Sequence, residues 1–120
     1  MKTKVLIIED NEQNMYMLSY LLQNENYEVF QASSGMAGIE IARINFPDII
    51  LLDIQLPGMD GYTVAIKLRE IEEIKYTPII AVTSYAMPGD RERAIESGAT
   101  GYIEKPINPD TFIAQMRAFL

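Results

Sequence analysis

Two side chains that carry much of protein chemistry are missing from this chain: it has no cysteine and no histidine. Without cysteine there is no disulfide framework, no thiolate metal site and no sulfur nucleophile. Without histidine, triads that need an imidazole base and ordinary zinc sites are excluded. Basic residues are scarce as well. Ten Lys and Arg stand against 17 Asp and Glu, a formal charge of −7 and a pI near 4.5, which speaks against direct binding to nucleic acid or anionic lipid. No apolar run approaches the ~18 residues of a membrane span, and Glu9, Asp10 and Glu12 come too early for a signal peptide. The expectation is one cytoplasmic domain over residues 1–120, with an ordinary hydrophobic content of 48%.

What is present alternates. Lys4 to Ile8 is a β-branched apolar run ending in Glu9-Asp10, and Asn11 to Asn24 has Met15, Leu18 and Leu22 at helical spacing, with Asp10 or Asn11 able to cap it. Tyr27 to Ala32 is a more polar, edge-like strand, and Met36 to Asn45 is a helix after the turn Ser33-Ser34-Gly35. Ile49 to Leu52 is apolar throughout, as in a strand buried on both faces; it meets Asp53, and Pro57-Gly58 then turns the chain. The spacing predicts a helix over Tyr62 to Ile74, a strand over Thr77 to Val82 and a helix over Pro88 to Ser97, with Gly98 just past its end. A short strand, Thr100 to Glu104, and a helix, Asp110 to Leu120, complete the pattern. Five strands alternating with five helices predict an α/β fold, a parallel sheet covered on both faces. There is no G-x-G-x-x-G and no G-x-x-x-x-G-K-[ST], so dinucleotide and P-loop readings lack support.

The polar residues that end the strands carry the functional signal. Strand one ends in Glu9-Asp10, strand three in Asp53, strand four in Thr83-Ser84 and strand five in Glu104-Lys105-Pro106. In a doubly wound sheet these ends share one rim, where ligands bind. Each piece alone is ordinary: acidic caps, a turn Thr and a Lys-Pro turn are common. Together they make a chemical set. Carboxylates held close either take up protons or bind a cation, and an oxygen-only donor set suits Mg²⁺. Charges on Glu9, Asp10 and Asp53 balance those of Mg²⁺ and Lys105, and Thr83 offers a hydroxyl to a third phosphoryl oxygen. Such placement fits phosphoryl transfer, with a carboxylate able to act as nucleophile.

On these landmarks, and on the stretches Ile50-Leu51-Leu52-Asp53-Ile54-Gln55-Leu56-Pro57-Gly58-Met59-Asp60-Gly61, Tyr85 to Asp90 and Gly101 to Ile107, the sequence resembles the receiver domain of two-component response regulators. It is most similar to the subgroup of DivK-type single-domain regulators and hybrid-kinase receivers. The resemblance implies a CheY-like (flavodoxin-like) (βα)5 fold with strand order 2-1-3-4-5. It implies that Asp53 accepts phosphate from a phosphohistidine on a sensor kinase or histidine phosphotransfer protein. Glu9, Asp10, Asp53 and the backbone carbonyl of Gln55 would hold Mg²⁺, with Mn²⁺ as a substitute; Glu9 stands where Asp is commonest. Thr83 would bind the phosphoryl group, Lys105 would pair with it, and Ser84 is small enough to admit the donor. Tyr102 would move inward with Thr83, switching an output face of helix four, strand five and helix five. Lys105-Pro106 is a cis bond in the family. Gln55 and Tyr85 would tune the phosphate's lifetime, and having no histidine, the chain needs a donor from elsewhere.

The expected role is therefore a phosphoacceptor that assists its own phosphorylation and dephosphorylation, and not an enzyme with a separate substrate. The start Met1-Lys2-Thr3-Lys4 and a last helix reaching Leu120 suggest a stand-alone module. A receiver excised from a longer regulator or hybrid kinase, a pseudo-receiver, and a small Asp-nucleophile phosphatase are the alternatives. The phosphatase reading expects a second acid where Gln55 stands.

Overall fold

The computed structural model describes residues 2–84 and 88–120. Five strands, β1 (Lys4–Ile8), β2 (Glu28–Ala32), β3 (Ile49–Asp53), β4 (Ile79–Thr83) and β5 (Gly101–Glu104), form one sheet in the order β2-β1-β3-β4-β5, every pair parallel. Between them run α1 (Glu12–Asn24), α2 (Gly35–Asn45), α3 (Gly61–Arg69), α4 (Asp90–Ser97) and, after β5, α5 (Phe112–Arg117). This is the doubly wound α/β architecture that the alternation predicts.

The strands are apolar on both faces because both faces are covered. Their side chains sort strictly by parity. Val5, Ile7, Ile49, Leu51, Ile80 and Val82 point to one face, where α1 contributes Leu18 and Leu22 and α5 contributes Phe112 and Met116. Leu6, Ile8, Ile50, Leu52, Ile79 and Ala81 point to the other, against Ile39 and Ala42 of α2, Val64, Ala65 and Leu68 of α3, and Ala94 of α4. Two helices thus cover one face and three the other. β2, on the edge, keeps Glu28 and Gln31 exposed, in keeping with its polar sequence.

Local signals set the helix starts. Asn11 caps α1 by accepting from the Asn14 N–H at 2.8 Å, Ser34 caps α2 from Ala37 at 3.2 Å, and Asp60 caps α3 from Thr63 at 2.9 Å. The spacing-based helix over Tyr62 to Ile74 is two pieces: α3 stops at Arg69, Ile71 is extended at φ −81° and ψ 113°, and Glu72–Ile74 forms a separate 3-10 turn. Arg69 is the physical reason. Its guanidinium donates to the carbonyls of Ile74, Lys75 and Thr77 and to that of Gly98, gathering the chain below α3 into a knot that a continued helix would straighten. The fourth helix begins at Asp90, with Pro88 in the turn before it, and the last is shorter than its apolar pattern suggested.

Candidate functional site

Register brings the strand ends together. Ile8 pairs with Leu52, so Glu9 lies level with Asp53 across the β1–β3 ladder. Asp53 pairs with Val82, which puts Thr83 one step further along β4, and Thr83 pairs with Glu104, which puts Lys105 one step beyond that. Lys105 N–H donates to the Thr83 carbonyl at 2.7 Å, extending the ladder past the end of β5. Four elements distant in sequence thereby meet at the carboxy-terminal rim of the sheet. Asp53, placed just outside the strand by its sequence pattern, is the last residue of β3 and is buried, as are Glu9 and Thr83.

Glu9, Asp10 and Asp53 each bring one carboxylate oxygen within 4.8 Å of the others. Lys105 Nζ reaches between two of them, 2.8 Å from Glu9 Oε1 and 3.4 Å from Asp53 Oδ2. The Asp53 carboxylate is held from behind as well, since Oδ1 accepts from the Gln55 N–H at 2.9 Å, while Glu9 Oε2 accepts from the Asn11 N–H at 3.2 Å. Burial pushes the Asp53 carboxyl above the usual range and the adjacent Glu9 adds to it; the Gln55 N–H and the Lys105 ammonium act the other way. For Lys105, burial alone would lower the ammonium, but the hydrogen bond to Glu9 and the charge of Asp53 hold it above its ordinary value.

This donor set fits a hard divalent cation. It is oxygen only, it is anionic and preassembled, and the lysine ammonium already serves it as a cation at two of the three acids. No buried side-chain nitrogen or oxygen is left without a partner among the described residues, so the cluster has no internal flaw that another group must repair.

Glu9, Asp10, Asp53, Gln55, Ser84 and Lys105 all line one cavity of about 830 Å³, wide enough for a side chain of another protein to enter. Thr83, the last residue of β4, is buried and does not line it. Tyr102 does not line it: on β5 it packs, half-buried, against the core beneath α3 and α4. The Lys105–Pro106 peptide bond is cis. Tyr85, expected to flank the site, and Met87 lie outside the described residues.

Geometry also shows contacts that sequence spacing does not. The Gln55 carboxamide oxygen accepts from Ser84 twice, from its N–H at 3.2 Å and its hydroxyl at 2.7 Å, tying the loop after β3 to the end of β4. Asn14 and Met17 of α1 and Ile107 complete the cavity wall. The 29-residue separation between Gln55 and Ser84 leaves no local trace in the sequence. One contact explains a glycine: a Cβ on Gly61 would lie 2.4 Å from the Ile54 Cα, so only glycine lets α3 start this close behind Asp53.

Comparison with known proteins agrees with this geometry. Residues 5–117 match the family model of the response regulator receiver domain. The chain is 42% identical over 120 residues to the polar-differentiation response regulator DivK of Brucella ovis, covering 100% of this chain and 98% of that protein. Among solved structures, the chemotaxis protein CheY4 of Vibrio cholerae superimposes with a TM-score of 0.96 at 31% identity, each chain covered in full. The receiver domain of a Pseudomonas aeruginosa sensor histidine kinase, solved with a magnesium ion coordinated in its active site cleft, has a TM-score of 0.90 at 29% identity, with 99% and 98% covered.

Proposed function

The chain belongs to the response regulator receiver family, and from that premise we propose that Asp53 is its phosphoacceptor, taking a phosphoryl group from a phosphohistidine on a sensor kinase or histidine phosphotransfer protein. The observation that carries this reading is the convergence of Glu9, Asp10, Asp53 and Lys105 on one open cavity.

In the transfer, an Asp53 carboxylate oxygen attacks phosphorus, the P–N bond to the donor imidazole breaks, and the imidazole keeps the bonding pair and takes up a proton. Gln55 N–H holds Asp53 Oδ1, which leaves Oδ2 as the attacking atom. Oδ2 is the Asp53 oxygen that Lys105 Nζ contacts, so the ammonium is already placed to exchange its contact with the carboxylate for one with the arriving phosphoryl group. Glu9 keeps Lys105 on station throughout. Thr83, at the end of β4, supplies a hydroxyl to a third phosphoryl oxygen, and Ser84 beside it is small enough to leave the donor a path. Glu9, Asp10, Asp53 and the Gln55 carbonyl would hold Mg²⁺, with Mn²⁺ as a substitute. When bound, that ion supplies charge neutralisation for the phosphoryl oxygens.

Phosphorylation puts roughly −1.5 to −2 charges at the rim in place of the single charge of the carboxylate, by analogy with phosphorylated hydroxyl side chains. Drawing Thr83 toward them frees space that Tyr102 enters, and the face formed by α4, β5 and α5 changes shape for an output partner. The partner is a protein, since the charge of −7 disfavours nucleic acid. No helix among the described residues is long and apolar enough to cross a membrane, and we place the module in the cytoplasm as a single receiver domain over residues 1–120. It is a phosphoacceptor that assists its own phosphorylation and dephosphorylation, not an enzyme acting on a separate substrate: where an Asp-nucleophile phosphatase keeps a second acid, Gln55 is engaged by Ser84. Incubation with acetyl phosphate and Mg²⁺ tests the assignment. Intact mass should rise by one phosphoryl group, and the gain should vanish in Asp53→Asn and on chelation; phosphate retained by Asp53→Asn would overturn it.

A further inference from the structure

Helix α4 is attached differently from the other four. It buries one side chain, Ala94, where α1, α2, α3 and α5 each bury larger ones such as Leu22, Ile39, Leu68 and Phe112. Ile95, the bulkiest apolar residue in it, is exposed. Glycines with positive φ bracket the helix, Gly89 at +92° before it and Gly98 at +121° after it, and no side chain caps its start. Little apolar surface and two permissive ends describe an element that can swing as a unit.

The two ends are not equally held. At the far end Arg69 of α3 donates from Nε to the Gly98 carbonyl at 2.9 Å and from the same guanidinium to the Thr77 carbonyl at 2.7 Å and the Thr100 hydroxyl at 3.2 Å. Gly98 has to be glycine there, since a Cβ would lie 2.7 Å from the Arg69 Cγ. This end is a fixed pivot. Nearer the start, Tyr62 of α3 engages α4. The Arg93 guanidinium stacks over its ring, 4.0 Å from the centroid, and the Asp90 carboxylate in the first turn of α4 adds its negative charge to the surroundings of the hydroxyl. Burial raises the hydroxyls of Tyr62 and Tyr102 above their ordinary value, and the Asp90 carboxylate adds to the effect in each.

We propose that Tyr62 is the latch of α4: through Arg93 it clasps the front of the helix to α3 in the resting protein, and when the clasp opens α4 swings about its Gly98 end. The latch rests on the functional reading above for what opens it, namely the movement of Tyr102 on phosphorylation of Asp53. Its existence in the resting protein does not. Tyr62 and Arg93 are positioning residues here, remote from the reacting atoms.

Hydrogen exchange followed by mass spectrometry on the full chain, without phosphodonor, tests the resting latch. Tyr62→Leu should speed exchange of the amides in α4 roughly five- to tenfold, with those of α1 and α5 unchanged. Arg93→Gln, on the exposed side of the helix, tests the same clasp without touching the core and should give a smaller increase of the same pattern; Arg93→Lys, which keeps the cation, should restore part of the protection. With acetyl phosphate and Mg²⁺ the wild type should approach the exchange of unphosphorylated Tyr62→Leu, and the variant should change little further. Unaltered α4 exchange in both Tyr62→Leu and Arg93→Gln overturns the latch. If no phosphorylation occurs the functional reading fails, yet the comparison of resting proteins still decides whether the clasp holds the helix. If the resting variants behave as expected but phosphorylated wild type keeps full α4 protection, the proposed release is wrong.

Discussion

Replacing Asp53 by Asn should make the metal-free protein more stable, not less. Asn keeps the shape of Asp and its Oδ1 can still accept the Gln55 N–H, so the change isolates one buried charge. At an effective dielectric near 20, Glu9 at up to 4.8 Å repels that charge by about 3.5 kcal/mol, and the Lys105 contact at 3.4 Å returns about 5 kcal/mol. Exposed Asp10 adds a screened repulsion, so the Coulomb contributions nearly cancel and burial decides. Burial is the largest cause of the raised Asp53 carboxyl, and a neutral amide escapes most of it. Lys105 keeps its 2.8 Å partner Glu9 in the variant and loses little. The expected gain is about 1–2 kcal/mol, or roughly 4 °C in Tm per kcal/mol for a domain of this size. Urea denaturation in EDTA at neutral pH measures it. Since the folded pKa of Asp53 lies above its unfolded value, the wild type loses stability as pH rises through that window and regains it as pH falls. The gap between the two proteins should therefore close toward acid. Mg²⁺ at a hundredfold excess over its Kd should add about 2.7 kcal/mol to the wild type and much less to the variant, erasing or reversing the order. An Asp53→Asn protein less stable than wild type in EDTA would refute the reasoning, because it would mean that Lys105 outweighs burial.

Lys105→Met removes the cation and leaves Glu9 and Asp53 facing each other in a buried setting; destabilisation by about 3 kcal/mol in EDTA is expected from urea melts, shrinking when Mg²⁺ is added. Gly61→Ala puts a methyl against backbone at 2.4 Å from Ile54 Cα and 2.8 Å from the Asp53 carbonyl; a loss of more than about 2 kcal/mol is expected, with weakened Mg²⁺ binding by titration calorimetry because the loop carrying Gln55 is displaced. Asp60→Ala removes the α3 cap and should cost about 1 kcal/mol without altering Mg²⁺ affinity.

The features legible in the sequence are those set by periodicity and by the ends of apolar runs. Ile49 to Leu52 announces a strand covered on both faces, and the acids after Ile8, the acid after Leu52, the hydroxyl after Val82 and the lysine after Glu104 announce one rim, because parallel strands share a direction. Features that depend on how helices sit were not legible. Arg69 reads as an ordinary charge within the helix predicted over Tyr62 to Ile74, yet its guanidinium breaks that helix and pins Gly98. Tyr62 and Arg93 read as separate amphipathic helices, and their contact exists only at one packing angle of α3 on α4. Gln55 was legible through its neighbour Asp53, but its side-chain bond to Ser84 needs the end of β4 beside the loop after β3.

A single arrangement explains why the site can be strained without endangering the fold. Asp53 is the last residue of β3 and pairs with Val82, so its backbone is held by the same ladder that holds Ile50 to Leu52. Those residues are buried on both sides of the sheet, and about 1–2 kcal/mol of electrostatic discomfort at the end of such a strand is small beside the burial of even one of them, worth about 1.5–3 kcal/mol. The acids cannot separate by fraying, because Glu9 N–H is bonded to the Ala32 carbonyl and Ile54 N–H to that of Val82. The tension is therefore relieved by binding a cation or losing a charge, and not by unfolding. The proposed phosphorylation would act on the same spot, converting the buried Asp53 carboxylate into an acyl phosphate whose charge sits further out, beside Lys105. The proposed swing of α4, the helix with the least burial, places the response on the element whose displacement costs the packing least.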